Sequence, residues 1–161
     1  MNRFRDRPVG HHSSAVPPIR AQTLLSLPVR LHGIALGRPI DLLLDPAELR
    51  VVGFDLLCGD EIHRFLPFPT AVISENEIAI RSPLVLLEED ELAFYRTRTS
   101  SLAALRGQDV MRGRRAAGRL VDVVVAADGT VDAVVVDDDG REERIPVDET
   151  IRLRPASRSA A

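Results

Sequence analysis

The residues best suited to chemistry in this chain are arginines clustered in its second half. Between positions 96 and 119 the sequence holds seven arginines and a single acid, Asp109. The arginine guanidinium is a planar fork of donors that matches carboxylate and phosphate groups. The cluster therefore predicts contact with an acidic partner, while a solvated loop that keeps the protein soluble is the simpler alternative. The candidate partner-binding residues are Arg112, Arg114, Arg115 and Arg119.

The surroundings of this cluster favour exposure and contrast with its charge. Gly113 and Gly118 bracket a turn ahead of an apolar run, so the arginines between them should project into solvent. Residues 1–20 and 152–161 each carry a net charge of +3, whereas the residues between them hold 14 arginines and 23 acids. An acidic body with basic ends does not have the charge of a nucleic-acid-binding domain.

Two aspartates, Asp41 and Asp122, occupy matching positions inside apolar runs. Paired carboxylates can carry out acid–base catalysis. Their equivalence instead favours a shared structural role, such as accepting backbone N–H bonds at a turn.

The candidates for metal or thiol chemistry have simpler structural explanations. The acidic run 137–143 lacks the flanking helices of a calcium loop, so it predicts a hairpin turn at residues 139–140. Cys58 has no neighbouring histidine or helix start that would activate its thiol. No phosphate loop or nucleophile elbow is present either. The histidines, which no cluster of cysteines or carboxylates accompanies, are His11, His12, His32 and His63. We therefore predict no catalytic residues, no metal and no cofactor.

An internal repeat must position these residues. Residues 37–44 match residues 118–125, with Gly, Arg, Asp and the apolar positions in register. Residues 51–56 match 131–136 further along, and upstream Val29 and Gly33 match Val110 and Gly113. The residues that mark the shared pattern are Gly37, Asp41, Pro67, Gly118, Asp122 and Pro146.

Each copy of the repeat predicts a meander of short strands. In the second copy, strands at 119–125, 131–136 and 143–147 are separated by Asp-Gly turn signals. The core must be aliphatic, because only 4% of the residues are aromatic. In the first copy, the apolar run 84–87 predicts a last strand, and residues 88–95 predict a short helix with acids in its first turn.

The combined pattern resembles the PRC-barrel family, whose small β-barrel domains occur in a photosynthetic reaction-centre subunit and in a ribosome maturation factor. The resemblance rests on Gly-x-apolar-apolar-Asp-apolar, then a Val-rich strand, then apolar-Pro. This pattern is present at 37–42, 51–56 and 66–67, and again at 118–123, 131–136 and 145–146. It departs from the family at Pro39, which suggests an edge strand. The resemblance implies a β-barrel that binds other macromolecules, with no shared catalytic residues.

These observations predict an all-β fold of two small PRC-barrel-like β-barrel modules in tandem with a short helix between them. Residues 1–22 are expected to form a disordered arm, 23–98 the first module with its helix, 99–154 the second module and 155–161 a disordered tail.

The predicted function is that of a non-catalytic macromolecule-binding or scaffolding protein, not an enzyme. Its expected partner is another protein with an acidic surface. The alternative is an RNA- or ribosome-associated maturation or assembly factor, which the scarcity of aromatic stacking residues disfavours. The sequence has no apolar run of membrane-spanning length, no secretory signal pattern and one cysteine, so we expect a cytoplasmic protein without a membrane span.

Overall fold

A computed structural model describes residues 17–154, and strands dominate this part of the chain, which confirms the predicted all-β class. The first sheet contains β2 (Val29–Leu31), β3 (Ile34–Asp45), β4 (Arg50–Cys58), β5 (His63–Pro67), β6 (Val72–Ile73) and β7 (Ile78–Ile80). The second sheet contains β9 (Asp109–Arg112), β10 (Arg115–Val125), β11 (Val131–Asp138), β12 (Arg141–Pro146) and β13 (Ile151–Leu153). The remaining elements are β1 (Ile19–Arg20), α1 (Ala21–Leu24), α2 (Glu89–Arg98), β8 (Ser100–Ser101) and α3 (Leu102–Leu105).

The two sheets have corresponding orders over four strands each, but β7 joins β2 in parallel whereas β13 joins β9 antiparallel. The first runs β5-β4-β3-β2-β7-β6 and the second runs β12-β11-β10-β9-β13. Runs of valine and leucine form the long central strands, since branched side chains pack well on a pleated surface. Each sheet is open, with an edge strand at either side, and does not close into a barrel within residues 17–154.

Strand register confirms the internal repeat. Leu42 pairs with Phe54 in the first sheet as Val123 pairs with Val134 in the second. Both long hairpins also have two register shifts at equivalent places, one of them just before the aspartate of each repeat. The sequence alignment is wrong by one residue at the upstream turn, where Gly113 corresponds to His32 and not to Gly33.

The repeats exchange their leading segments. β1 pairs with β10 of the second repeat, and β8 pairs with β3 of the first. The two pairings are equivalent, because Arg20 lies opposite Val124 and Ser101 lies opposite Leu43. Each repeat therefore contributes a strand to the other repeat's sheet.

A pseudo-twofold axis passes between Arg50 and Thr130, which form an isolated antiparallel bridge. The Val51 N–H donates to the Gly129 carbonyl at 2.8 Å, and the Val131 N–H donates to the Leu49 carbonyl at 2.8 Å. Val51 and Val131 are equivalent residues of the two repeats, so the two bonds are related by the same symmetry.

One hydrophobic core joins the two repeats. Fully buried aliphatic and aromatic side chains from both sheets belong to a single cluster, as expected from a composition poor in aromatics. Among its members are Leu42, Phe54, Leu56, Leu66, Val110, Val123, Val134 and Val136. The repeats are thus held together by packing as well as by the exchanged strands.

Three local expectations are wrong. The disordered arm was predicted to extend to residue 22, but residues 19–24 already form β1 and α1. Residues 1–16 and the predicted tail at 155–161 lie outside the described part of the chain. The strand predicted at 84–87 is a 3₁₀ turn over Pro83–Val85, since Ser82 caps it and Pro83 favours a first helical position. Pro39 lies in the central strand β3, beside a register shift. The helix predicted at 88–95 is α2.

Candidate functional site

Arg112 and Arg115 face each other across a tight hairpin. Arg112 ends β9, Arg115 begins β10, and the two are register partners around a two-residue turn. Gly113 is the first turn residue, with a φ of 62° that glycine adopts without strain. Arg114 is the second turn residue. The structure therefore brings three of the four predicted arginines to one exposed tip.

Arg119 is separated from this tip. It lies four residues further along β10, about 13 Å away at the rise of an extended strand. Its register partners are Asp109 and Asp137, so its side chain belongs to a mixed-charge stretch of the sheet. We define the arginine tip as Arg112, Gly113, Arg114 and Arg115 and leave Arg119 outside it.

The arginines of the tip are exposed and free of ion pairs within 4.0 Å across residues 17–154. Two acidic residues lie near the tip. Asp138 and Glu143 line an open depression of about 330 Å³ that Arg112 and Arg115 also border. A hydrogen bond from Thr150, assisted by the field of Arg112, lowers the pKa of the exposed Asp148 carboxyl. The guanidinium donors nevertheless remain available to a partner.

The equivalent hairpin of the first repeat has a different surface. Its tip is Leu31, His32, Gly33 and Ile34, with Leu31 and Ile34 as register partners. Ile34 is 67% exposed. Both turn residues have positive φ, 48° and 80°, so the turn type differs as well. The fold thus tolerates an apolar tip where the second repeat has three arginines.

Asp41 and Asp122 bind backbone N–H groups, as the structural interpretation predicts. Asp41 Oδ1 accepts from Leu42 at 2.8 Å and from Ala103, on α3, at 3.3 Å. Asp122 accepts equivalent bonds from Val123 at 2.9 Å and from Gln22, on α1, at 3.3 Å. Each aspartate therefore anchors a helical turn that belongs to the segment leading into the other repeat.

The two aspartates differ in burial and charge partners. Asp122 is 1% exposed, receives Arg20 Nε at 3.1 Å and has Arg106 at 3.8 Å. Asp41 is half-buried, and its burial, opposed by the N–H donors of Ala103 and Leu42, raises the pKa of its carboxyl. The nearby charge of Asp55 raises that pKa further.

The other residues of the repeat pattern are explained by close contacts and by strand edges. A Cβ at Gly37 would lie 2.5 Å from the Leu57 carbonyl oxygen, and one at Gly118 would lie 2.7 Å from that of Asp137. Both distances are too short for any side chain. Pro67 and Pro146 are in the outermost strands β5 and β12, where a missing N–H donor is tolerated.

A charged cluster escaped the sequence analysis. Buried Asp55 lies with Oδ1 2.9 Å from His63 Nδ1, and its Oδ2 accepts a hydrogen bond from Arg96 on α2. The three side chains come from β4, β5 and α2, so they tie the helix to the sheet. A signal was present: the repeat places Asp55 where the second copy has Val135, an exception to an apolar pattern.

The remaining candidates have the local structures that follow. The acidic run turns at Asp139 and Gly140, with Asp137 Oδ1 accepting the Gly140 N–H at 2.9 Å. Cys58 is buried and borders the same depression as Arg64, whose guanidinium is bound to Asp60 at 2.8 and 3.0 Å. Within residues 17–154 no three His, Cys, Asp or Glu side chains gather as metal ligands would. His11 and His12 lie outside those residues.

Comparison with known proteins leaves the chain without a family assignment, because neither the family models nor the curated proteins searched match it. No helix within residues 17–154 has the length and apolar character needed to cross a membrane.

Proposed function

We propose that this chain is a non-catalytic, cytoplasmic binding protein that holds an acidic partner protein at the arginine tip. The observation that carries the proposal is the difference between the two equivalent hairpins. The first shows that the fold requires no charge at this place, whereas the second presents Arg112, Arg114 and Arg115 without intramolecular ion pairs. Three guanidiniums so close together repel one another, and an opposing anionic surface relieves that repulsion.

The net charge of the body supports orientation by this tip. The residues between the basic ends have an excess of nine acids, so an acidic partner is repelled by most of the surface and attracted at the tip. Such an arrangement favours one docking direction over others.

The proposal includes the finer architecture that the PRC-barrel resemblance implies. In this view residues 23–98 and 99–154 derive from one barrel module, and the equivalent strand registers support that origin. The family resemblance also supports a role in binding macromolecules rather than in catalysis.

The test is a triple substitution, R112S/R114S/R115S, with R38S/R81S/R154S as the matched control. The control removes the same charge from three exposed arginines that form no ion pair within the described residues. Binding of a labelled glutamate-rich peptide is measured by fluorescence anisotropy against rising salt. We expect the tip variant to lose about tenfold or more in affinity and the control to lose much less.

Binding of a labelled single-stranded RNA with the same net charge as the peptide distinguishes the proposed function from the RNA- or ribosome-associated alternative. If the RNA binds the wild type more tightly than the peptide, the ribosome- or RNA-associated alternative replaces the proposal. If both variants bind the peptide equally, the tip is a solvated turn.

A further inference from the structure

The outer edge of the second sheet is open where the equivalent edge of the first is covered. β5 is the outermost strand of the first sheet, and Phe65 in β5 exchanges two backbone hydrogen bonds with Leu87, at 2.8 and 2.9 Å. Arg144 in β12 is the counterpart of Phe65, because they pair with the equivalent residues Val135 and Asp55. Within residues 17–154 no segment pairs with the outer side of β12.

The open backbone groups can be assigned from the ladder. Val147 donates to Asp132 at 2.9 Å, so alternate residues of β12 direct their backbone groups toward β11. The intervening residues, Glu142 and Arg144, therefore direct their N–H and C=O groups away from the sheet. Pro146 follows in the same series and lacks a donor.

Side-chain charges make this edge self-complementary in one register. If two copies of β12 pair antiparallel about a twofold axis at Glu143, Glu142 of each copy lies opposite Arg144 of the other. These are hydrogen-bonded pairs, so the four outward N–H and C=O pairs of Glu142 and Arg144 are all used. That register also places Glu143 opposite Glu143 on the axis. With the axis at Arg144, Arg144 lies opposite Arg144 and no opposite-charge pair forms. With the axis at Glu142, Glu142 lies opposite Glu142 and Arg141 opposite Glu143, but Arg144 then lies opposite Gly140, whose φ of 85° is that of a turn and not of a pairing strand.

We propose that two copies of this chain associate through their β12 edges into one continuous sheet. The strand is exposed apart from Ile145, and the Glu142 carboxylate, which lies 3.1 Å from Arg20 Nη1, is itself exposed. Charges on an edge strand ordinarily prevent pairing with other chains, and here the opposite charges of Glu142 and Arg144 favour pairing in the register that brings them together. Because two six-residue strands form a small interface, we expect a dimer that dissociates on dilution.

The test is sedimentation velocity on the full chain over a series of concentrations, with circular dichroism to verify that each variant is folded. E142R and R144E each create like-charge pairs and should weaken self-association about tenfold or more. An equimolar mixture of the two variants restores both opposite-charge pairs, as does the double variant E142R/R144E. Both should associate like the wild type.

Neutral substitutions provide a matched control on the same strand. E142Q removes an attractive pair and should weaken association, whereas E143Q removes the like-charge contact on the axis and should strengthen it. A wild type that stays monomeric at the highest concentration would overturn the proposal. So would association that E142R and R144E leave unchanged, or singles that fail to recover when mixed.

Discussion

The outer faces of the two sheets are built on the same strands but are covered differently. In the first repeat, α2 lies over the sheet, with Leu92 buried and Tyr95 stacked on Phe65 at a ring-centroid distance of 4.2 Å. In the second repeat the small cluster on this side comprises Val121, Val124, Ala133 and Val135, and a charged pair, Arg20 and Glu142, lies beside it. One copy of a duplicated framework is thus closed by its own chain, and the other has kept a charged edge available for contacts.

The first hairpins of the two repeats, β2–β3 and β9–β10, also share a backbone but differ in surface. Their backbones agree in register, while one tip is apolar and the other carries the three arginines. The exposed tips have diverged, whereas the close backbone contacts at Gly37 and Gly118 are the same in both repeats. The comparison therefore separates residues kept for folding, such as Gly37 and Gly118, from residues free to acquire a partner.

The largest difference between the repeats should come from Phe65 and its counterpart Arg144. Phe65→Ala removes a fully buried ring and its stacking contact with Tyr95, so we expect the free energy of unfolding to fall by about 4 kcal/mol. Arg144→Ala alters an exposed edge residue and should change it by less than about 0.5 kcal/mol. Urea denaturation at low protein concentration measures both. Equal losses would mean that α2 adds nothing to the first repeat.

A smaller difference is expected between the two repeated aspartates. Asp122→Ala leaves two backbone donors and Arg20 without their acceptor at a buried site, and should cost about 3 kcal/mol. Asp41→Ala removes two backbone bonds at a half-buried site and should cost about 1 kcal/mol. Thermal melts of the two variants at neutral pH provide the comparison. A larger loss for Asp41 would contradict the assignment of Asp122 as the stronger anchor.

The smallest effect is the pH dependence that Asp41 contributes. Burial raises the pKa of its carboxyl in the folded state, so the folded chain holds a proton that the unfolded chain has already released. Its contribution to stability is therefore greatest below the unfolded pKa and is lost as pH rises through the raised folded pKa. The stability of Asp41→Asn relative to wild type should increase over that pH window, as measured by urea midpoints.

Much of the fold followed from the sequence because its determinants are local. The Asp-Gly turns of the second repeat and the valine-rich strands act through neighbouring residues, and the paired aspartates were visible because the repeat shows them twice. The prediction of a strand at 84–87 was wrong for a reason that is also local, because Ser82 and Pro83 favour a 3₁₀ turn over an extended chain.

The features that were missed depend on distant residues. β1 and β8 are two residues long and show no alternation, so nothing in their sequences indicates a partner strand in the other repeat. The Asp55 cluster needs side chains from three elements, although the replacement of an apolar residue at position 55 was visible. Of the candidate site, the turn and the exposure of its arginines were predictable, whereas the separation of Arg119 required the strand register.

The exchanged strands also determine when this protein can finish folding during synthesis. Ile19 and Arg20 are translated about a hundred residues before their partners Val125 and Val124. At elongation rates of about 5–20 residues per second, β1 waits on the order of 5–20 s for its place in the sheet. The first repeat likewise lacks its pairing with β8 until Ser100 and Ser101 have been translated. A nascent first half therefore emerges with Leu43 and Leu44 of β3 unpaired on one side, and this opening for wrong pairing closes only when the second half emerges.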